Sequence, residues 1–353
     1  MAKLELIGLT KTYADFTAVD HVNLSIAHGE FVCLLGPSGC GKTTTLRLIA
    51  GFLDANDGEI RVGERVISAK GSTVPPERRN MSMIFQSYAV WPHMTVTDNV
   101  AYGLKMKRVP KNEVRTKVRT LLEATQLQAL AGRYPSELSG GQQQRISLAR
   151  ALAPEPEILL LDEPLSNLDA NLREEMRFEI RQLHNKFQYT TVYVTHDQIE
   201  AMAMADRIVV MNLGHIEQIG TPEDIYERPE SEFVARFIGG TNILKGTYQG
   251  DRRLDFSKFQ LDFTEGDTAA VGEPMSLSIR FHELELSPFS DKARQNVVPG
   301  QIIDQAYMGS YRDYLVDIGV KKLKITASAS LNMRPGERVS VRFPPGCCRG
   351  LVR

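Results

Sequence analysis

Up to residue 35 the chain alternates apolar and polar positions, as in Leu4-Glu5-Leu6-Ile7 and Val22-Asn23-Leu24-Ser25-Ile26. A period of two predicts short strands, with residues 11–16 as the loop between them. Residues 30–35 (EFVCLL) then form a short apolar run of strand character, and residues 43–50 (TTTLRLIA) have the length of a helix closed by Gly51. Further strands are predicted at 58–63 (GEIRVG) and 81–86 (MSMIFQ), with Gln86 where the second would end. From about residue 87 to 150 the spacing turns helical, with Val114, Val118, Leu121 and Leu122 three and four residues apart. Residues 158–163 (ILLLDE) are an apolar run ending in two carboxylates ahead of Pro164, which suits a parallel strand buried on both faces. Residues 190–195 (TTVYVT) are another β-rich run, closed by His196. After Met211 the texture changes. Residues 220–240 read as connecting helices and a glycine break, and 275–281, 322–327 and 338–343 then alternate with period two. That predicts a separate small β domain, barrel or sandwich.

At 353 residues the chain is long for one core, so two domains are expected. The boundaries fall at 1–237, with a helical subdomain at about 87–150, and 238–353. A formal net charge of −1 leaves no electrostatic footprint for nucleic acid, which is therefore not an expected partner. No run approaches the roughly 20 apolar residues that cross a bilayer, and the N-terminus has no apolar core of a secretory signal. A protein of this kind that serves a membrane does so from the water side. Lys105, Lys107, Arg108, Lys111, Arg115, Lys117 and Arg119 make the helical stretch basic, as a solvated helix face or, second, a face near headgroups. The cysteines (Cys33, Cys40, Cys347 and Cys348) form no spaced framework, which fits a reducing cytoplasm. No His or further Cys clusters with the adjacent Cys347 and Cys348, and no role is assigned to them.

The chemistry concentrates at residues 36–43 (GPSGCGKT), a G-x-x-x-x-G-K-[ST] loop between a predicted strand and a predicted helix. Gly36, Gly39 and Gly41 let successive N–H groups turn inward around phosphate oxygens, and the helix N-terminus adds unsatisfied donors. Lys42 supplies a point charge for the β- and γ-phosphates, and the Thr43 hydroxyl is placed to ligand Mg²⁺. Ser139 followed by Gln142 is a capping-box pattern, and Gly140 and Gly141 bare the N–H groups of the helix it opens, a second anion-seeking helix end. At the carboxyl end of a parallel strand, Asp162 would stand at the ligand crevice to hold Mg²⁺, and Glu163 could orient or deprotonate the attacking water. His196 closes a strand at the same edge.

Residues 36–43, Gln86, 138–142, 158–163, 166–169 (SNLD) and His196 together resemble the ATP-binding-cassette ATPases, in order and spacing throughout the first ~240 residues. The resemblance implies an α/β fold: a P-loop NTPase cassette, with a mixed-sheet core and helical subdomain, followed by a small all-β, oligonucleotide-fold-like regulatory domain. It implies an ATPase with ATP and Mg²⁺. Lys42, Gln86, Glu163 and His196 would carry catalysis, with Thr43, Gln86 and Asp162 at the metal. Tyr13 would stack on adenine, and Gly36, Pro37, Ser38, Gly39, Cys40, Gly41, Lys42, Thr43 and Thr44 would hold the phosphates. Across a head-to-tail homodimer, Ser139, Gly140, Gly141, Gln142 and Asp169 would reach the partner's nucleotide. Residues 88–96 and 220–226 and the appended β domain look like the importer branch. That branch implies two transmembrane permease subunits, indirectly a solute-binding protein, and a peripheral place on the cytoplasmic face of the cell (inner) membrane. Residues 237–246 lack the Pro-x-Met-Asn insertion common among sugar-uptake subunits and look more like the polyamine, ferric-ion and phosphonate group. A sugar, sulfate or molybdate importer is the alternative. A soluble non-transport cassette of DNA repair or translation is the alternative of another class, and a non-hydrolysing ATP switch a third.

Overall fold

The computed structural model describes residues 3–291 and 294–352. Its first part runs β1 (Leu4–Tyr13), β2 (Phe16–Ile26), β3 (Phe31–Leu35), α1 (Lys42–Ala50), β4 (Asp57–Val62), β5 (Arg65–Ala69), β6 (Ser72–Thr73) and β7 (Met81–Ile84). It continues through α2 (Val96–Met106), α3 (Lys111–Ala124), α4 (Gly140–Leu152), β8 (Ile158–Asp162), α5 (Ala170–Phe187), β9 (Thr190–Thr195), α6 (Gln198–Met204), β10 (Arg207–Asn212) and β11 (His215–Gly220). Residues 11–16, expected as a loop, are mostly strand. β1 persists through Tyr13 and Phe16 opens β2, because a two-residue turn with Ala14 at φ 45 suffices to reverse the chain.

Two sheets sandwich α1. One has strand order β2-β1-β4-β5-β6, its pairs antiparallel. The other has order β11-β10-β3-β9-β8-β7, with β10, β3, β9, β8 and β7 parallel and β11 antiparallel at the edge. Every residue of β3 and of β8 is buried, so both faces are covered, as the unbroken apolar runs require. Leu4, Leu6 and Ile60 of the first sheet, Leu46 and Ile49 of α1, and Leu34, Leu160 and Val194 of the second share one core. Each such side chain contributes ~1.5–3 kcal/mol by burial. The helical stretch folds as α2, α3 and α4, packed through Val100, Leu104, Val118, Leu121 and Leu122. Its basic residues lie mostly outward, where Lys105 pairs with Asp98 and Lys117 with Glu113 and Glu155.

Contacts divide the chain into Met1–Pro222 and Glu223–Arg353, ahead of the 237/238 boundary expected. The shift has a local cause. In α8 (Glu232–Ile238), which follows the short α7 (Pro222–Glu227), Ala235 packs against Ile243 of the strand that follows and against Leu351, and Glu232 accepts a hydrogen bond from the Ser276 hydroxyl at 2.9 Å. The second unit then forms β12 (Thr241–Gly250), β13 (Arg253–Asp255), β14 (Gln260–Asp262), β15 (Glu265–Gly266), β16 (Pro274–Arg280) and β17 (Glu285–Pro288). β18 (Val297–Tyr307), β19 (Tyr311–Asp317), β20 (Lys322–Ser328), β21 (Arg338–Arg342) and β22 (Arg349–Leu351) complete it. Two mostly antiparallel sheets, ordered β14-β13-β12-β16-β22-β15 and β17-β21-β18-β19-β20, close on one core containing Leu277, Val298, Tyr314, Ile325, Val341 and Phe343. The period-two runs became β16, β20 and β21. β18 was hidden by Pro299 and Gly300 within it.

Candidate functional site

The phosphate loop leaves the buried strand β3 and enters α1 at Gly41, whose φ of +105 only glycine adopts readily. Two of its glycines are also required by space. A Cβ on Gly36 would lie 2.3 Å from the Met211 carbonyl oxygen, and one on Gly41 2.3 Å from that of Ala18. Lys42 is buried, and its ammonium donates to the carbonyls of Gly36 at 2.7 Å and Pro37 at 2.9 Å, curling over the loop it belongs to. Cys40 is buried beneath it, whereas Ser38 and Gly39 face outward. Thr43 and Thr44 are half-buried in the first turn of α1.

The parallel register brings the remaining groups to the same edge. Leu35 pairs with Thr195, Asp162 with Val194, and Ile84 with Leu161, so β3, β9, β8 and β7 end together. The Thr43 hydroxyl donates to Asp162 Oδ1 at 3.1 Å. Burial pushes the Asp162 carboxyl above its ordinary range, against the opposing pull of Thr43, Arg47 and Lys42. A buried carboxylate and a hydroxyl are hard oxygen donors, the set that suits Mg²⁺ completed by water and phosphate oxygens. Glu163 takes φ 45, a backbone cost of ~1–3 kcal/mol for a non-glycine residue. Its N–H donates to the Val194 carbonyl at 3.0 Å, its carbonyl accepts from the Ser166 hydroxyl at 2.9 Å, and its Oε2 lies 3.1 Å from His196 Nδ1. The strained turn thus carries the carboxylate onto the exposed imidazole.

Gln86 sits two residues past β7, exposed, its carbonyl accepting from the Asn167 side chain at 2.8 Å. Tyr13 and its cross-strand partner Phe16 are exposed at the end of the β1–β2 hairpin, and Ala18, farther along β2, touches Gly41. Ser139 caps α4 as the pattern predicts: Ser139 N–H donates to Gln142 Oε1 at 3.0 Å, and Gln142 N–H to Ser139 Oγ at 3.4 Å. That helix start packs on the segment that begins α5. A Cβ on Gly140 would meet Leu168 at 3.7 Å, one on Gly141 would meet Leu172 at 2.8 Å, and Asp169 caps α5 by accepting from the Leu172 N–H at 3.0 Å. Residues 139–142 and Asp169 therefore form a second cluster, apart from the group of Lys42, Thr43, Asp162, Glu163 and His196.

Sequence reasoning missed the supports behind the edge. Glu200, buried in α6, accepts from Tyr193 Oη at 2.8 Å and Thr195 Oγ1 at 2.7 Å, tethering the residue before His196. Asp197, just after His196, caps α6 and pairs with Arg173 at 3.2 Å. Arg79, fully buried, donates to the carbonyls of Leu48 at 2.9 Å and Ile49 at 2.7 Å and so closes the C-terminus of α1. Asp197 ahead of a helical run was a readable cap signal; nothing in the sequence marks Arg79 or Glu200 as buried.

Residues 19–166 match the model of the ABC transporter family and residues 277–351 that of the TOBE domain. The trehalose/maltose import ATP-binding protein MalK of Thermococcus litoralis is 42% identical over 97% of this chain and 95% of its own. The spermidine/putrescine import ATP-binding protein PotA of Rubrobacter xylanophilus is 43% identical over 98% of this chain and 92% of its own. Among solved structures, a dimeric post-hydrolysis state of the ATP-binding cassette MJ0796 bound to ADP and Pi aligns at 32% identity and TM-score 0.54, over 62% of this chain and 98% of that one. The protein cbiO1 from Clostridium perfringens, part of the transporter complex cbiONQ, aligns at 26% identity and TM-score 0.59, over 66% and 92%.

Proposed function

The chain belongs to the ABC transporter family of ATP-binding proteins, and from that premise we propose that two copies hydrolyse MgATP at shared sites to drive solute uptake through membrane permease subunits. It is an importer ATPase with a C-terminal TOBE domain. The observation that carries the mechanism is the Glu163–His196 pair at 3.1 Å, beside Lys42 and the Thr43–Asp162 pair.

In this reading the loop N–H groups and Lys42 exchange their internal carbonyl partners for the β- and γ-phosphate oxygens. Thr43, Asp162 and Gln86 would hold Mg²⁺, which when bound neutralises phosphate charge. Glu163 accepts a proton from the water that attacks the γ-phosphorus, as the bond from that phosphorus to the bridging oxygen breaks and ADP leaves. His196 holds the Glu163 carboxylate in place. Little covalent work falls to the protein in such a transfer, so positioning and charge dominate. Tyr13 lies against the base. Ser139, Gly140, Gly141, Gln142 and Asp169 act on the partner copy's nucleotide, consistent with their standing as a separate cluster in which Ser139, Gly140 and Asp169 are exposed.

A groove of about 710 Å³ along α2 and α3, floored by Ala101, Val114, Val118 and Leu122 and rimmed by Lys105 and Arg119, suits an amphipathic permease helix with acidic flanks. That contact would hold the chain at the cytoplasmic face of the inner membrane; no helix among the described residues is long and apolar enough to cross one. The solute is a polyamine, ferric ion or phosphonate, with a sugar as the second reading because a trehalose/maltose relative is as similar as the spermidine/putrescine ones. The second unit, Glu223–Arg353, regulates. Diluting the protein tests the shared site: the rate per protomer should fall once pairing is lost, and a constant rate would remove it.

A further inference from the structure

Two consecutive non-glycine residues just past Gln86 adopt left-handed backbone, Tyr88 at φ 60 and Ala89 at φ 49. L-residues visit that region reluctantly, so something must hold them there. The holder is α4. Arg150 donates from Nη1 to the Ala89 carbonyl at 2.6 Å and from Nη2 to the Tyr88 carbonyl at 3.0 Å, and the Ser147 hydroxyl donates to the same Tyr88 carbonyl at 2.9 Å. The guanidinium also lies 4.5 Å from the centre of the Trp91 ring, which packs 4.3 Å from Tyr102 of α2. Asn99 fixes Trp91 from both sides, accepting from its N–H at 3.0 Å and donating to its carbonyl at 3.1 Å. The other end of α4 begins with Ser139 and Gln142.

We propose that Arg150 is a positioning residue that fastens the loop carrying Gln86 to α4, so that the helix start at Ser139 and the Gln86 side chain move as one arm. This rests on the shared-site reading above. A planar guanidinium can bridge two carbonyls and cover a ring at once; a lysine ammonium can keep the charge but not the fork. Without the fork, closure of the helix start no longer sets Gln86, although the phosphate loop is untouched.

Trp91 is the chain's single tryptophan, so emission excited beyond the tyrosine absorption band reports this spot alone. In full-length Arg150→Lys, Trp91 emission should shift to the red and acrylamide quenching should rise. kcat should fall about tenfold with the KM for ATP within about twofold, the pattern of a lost transition-state interaction. Ser147→Ala, a milder change, should move both readouts the same way by less, and it decides the matter if Arg150→Lys does not fold. A freed Trp91 with kcat within twofold of wild type would overturn the proposal, because the clamp would then position nothing. Unchanged fluorescence and unchanged kcat would overturn it too. A wild-type rate that ignores dilution would count against the shared site instead, leaving the Trp91 result readable by itself.

Discussion

The two units of this chain organise their polar groups in opposite ways. In the first, β3, β7, β8 and β9 run parallel, so every carboxyl end arrives at one edge and residues as far apart in sequence as Lys42, Asp162 and His196 meet there. In the second, most neighbouring strands alternate direction, and the polar groups pair across strands instead: Arg253 with Asp262, Lys324 with Asp313, Arg342 with Glu285. Backbone strain does not divide the units, since non-glycine residues take positive φ at turns in both, Ala14 and Leu213 in the first and Asp251, Arg252 and Asn296 in the second; what sets the first unit apart is a left-handed Glu163 at its chemistry. Parallel topology collects chemistry at an edge, and antiparallel topology collects a core.

Four substitutions would sharpen that contrast or break it. The largest effect is expected from Glu163→Gln, which keeps the shape and removes the base. Turnover should drop about a thousandfold or more while ATP still binds and holds paired copies together. Single-turnover hydrolysis beside a binding titration checks this, and near-normal turnover would take Glu163 out of its role. Next is Leu277→Ala in the buried core of the β unit, expected to cost about 2–5 kcal/mol of that unit's stability. Hydrogen exchange should show the loss in β12–β22 while nucleotide affinity stays as it was; weakened nucleotide binding would mean the units are not separable in this way.

Gly140→Asp should act third, lowering turnover about tenfold by setting a carboxylate against the partner's γ-phosphate, with nucleotide binding to a single copy unchanged. Gly140 is the site to use because its Cβ meets only Leu168 at 3.7 Å, whereas a side chain on Gly141 would have to displace Leu172. Loss of single-copy binding would contradict the two-copy site. The smallest effect concerns pH. The hydrogen bond and charge of Arg253 hold the Asp262 carboxyl below its ordinary value. The unfolded chain therefore binds the proton more readily, and the resulting stability is present above about pH 4 and is lost as pH falls through the lowered value. Asp262→Asn should melt slightly earlier than wild type near neutrality, and the difference should vanish in acid. A difference independent of pH would show that charge plays no part.

Much of the site was legible because its chemistry needs particular residue types at fixed spacing. The loop at 36–43, the capping box at Ser139 and Gln142, the double carboxylate at 162–163 and His196 at a strand end are local patterns, and each appears where its pattern put it. Supports made by contact were not legible. Arg150 looks like any basic residue in a helix until Tyr88 and Ala89 lie under it, and Arg79 like a surface arginine until α1 ends against it. The strand β18 escaped because Pro299 and Gly300 interrupt its alternation, while cross-strand pairing to β19 and β21 overrides them.

The sequence alone determined the phosphate-loop pattern, the capped helix start at Ser139, and the presence of a separate β unit, because glycine, lysine, capping and period-two patterns are read over a few neighbouring residues. Tertiary structure decided which strands lie side by side, that Glu163 turns left-handed onto His196, and that residues 139–142 gather with Asp169 rather than with Lys42. Those outcomes depend on register and packing between segments that lie from about 30 residues apart, as for β8 and β9, to about 160 apart, as for β3 and β9, and no local spacing encodes them.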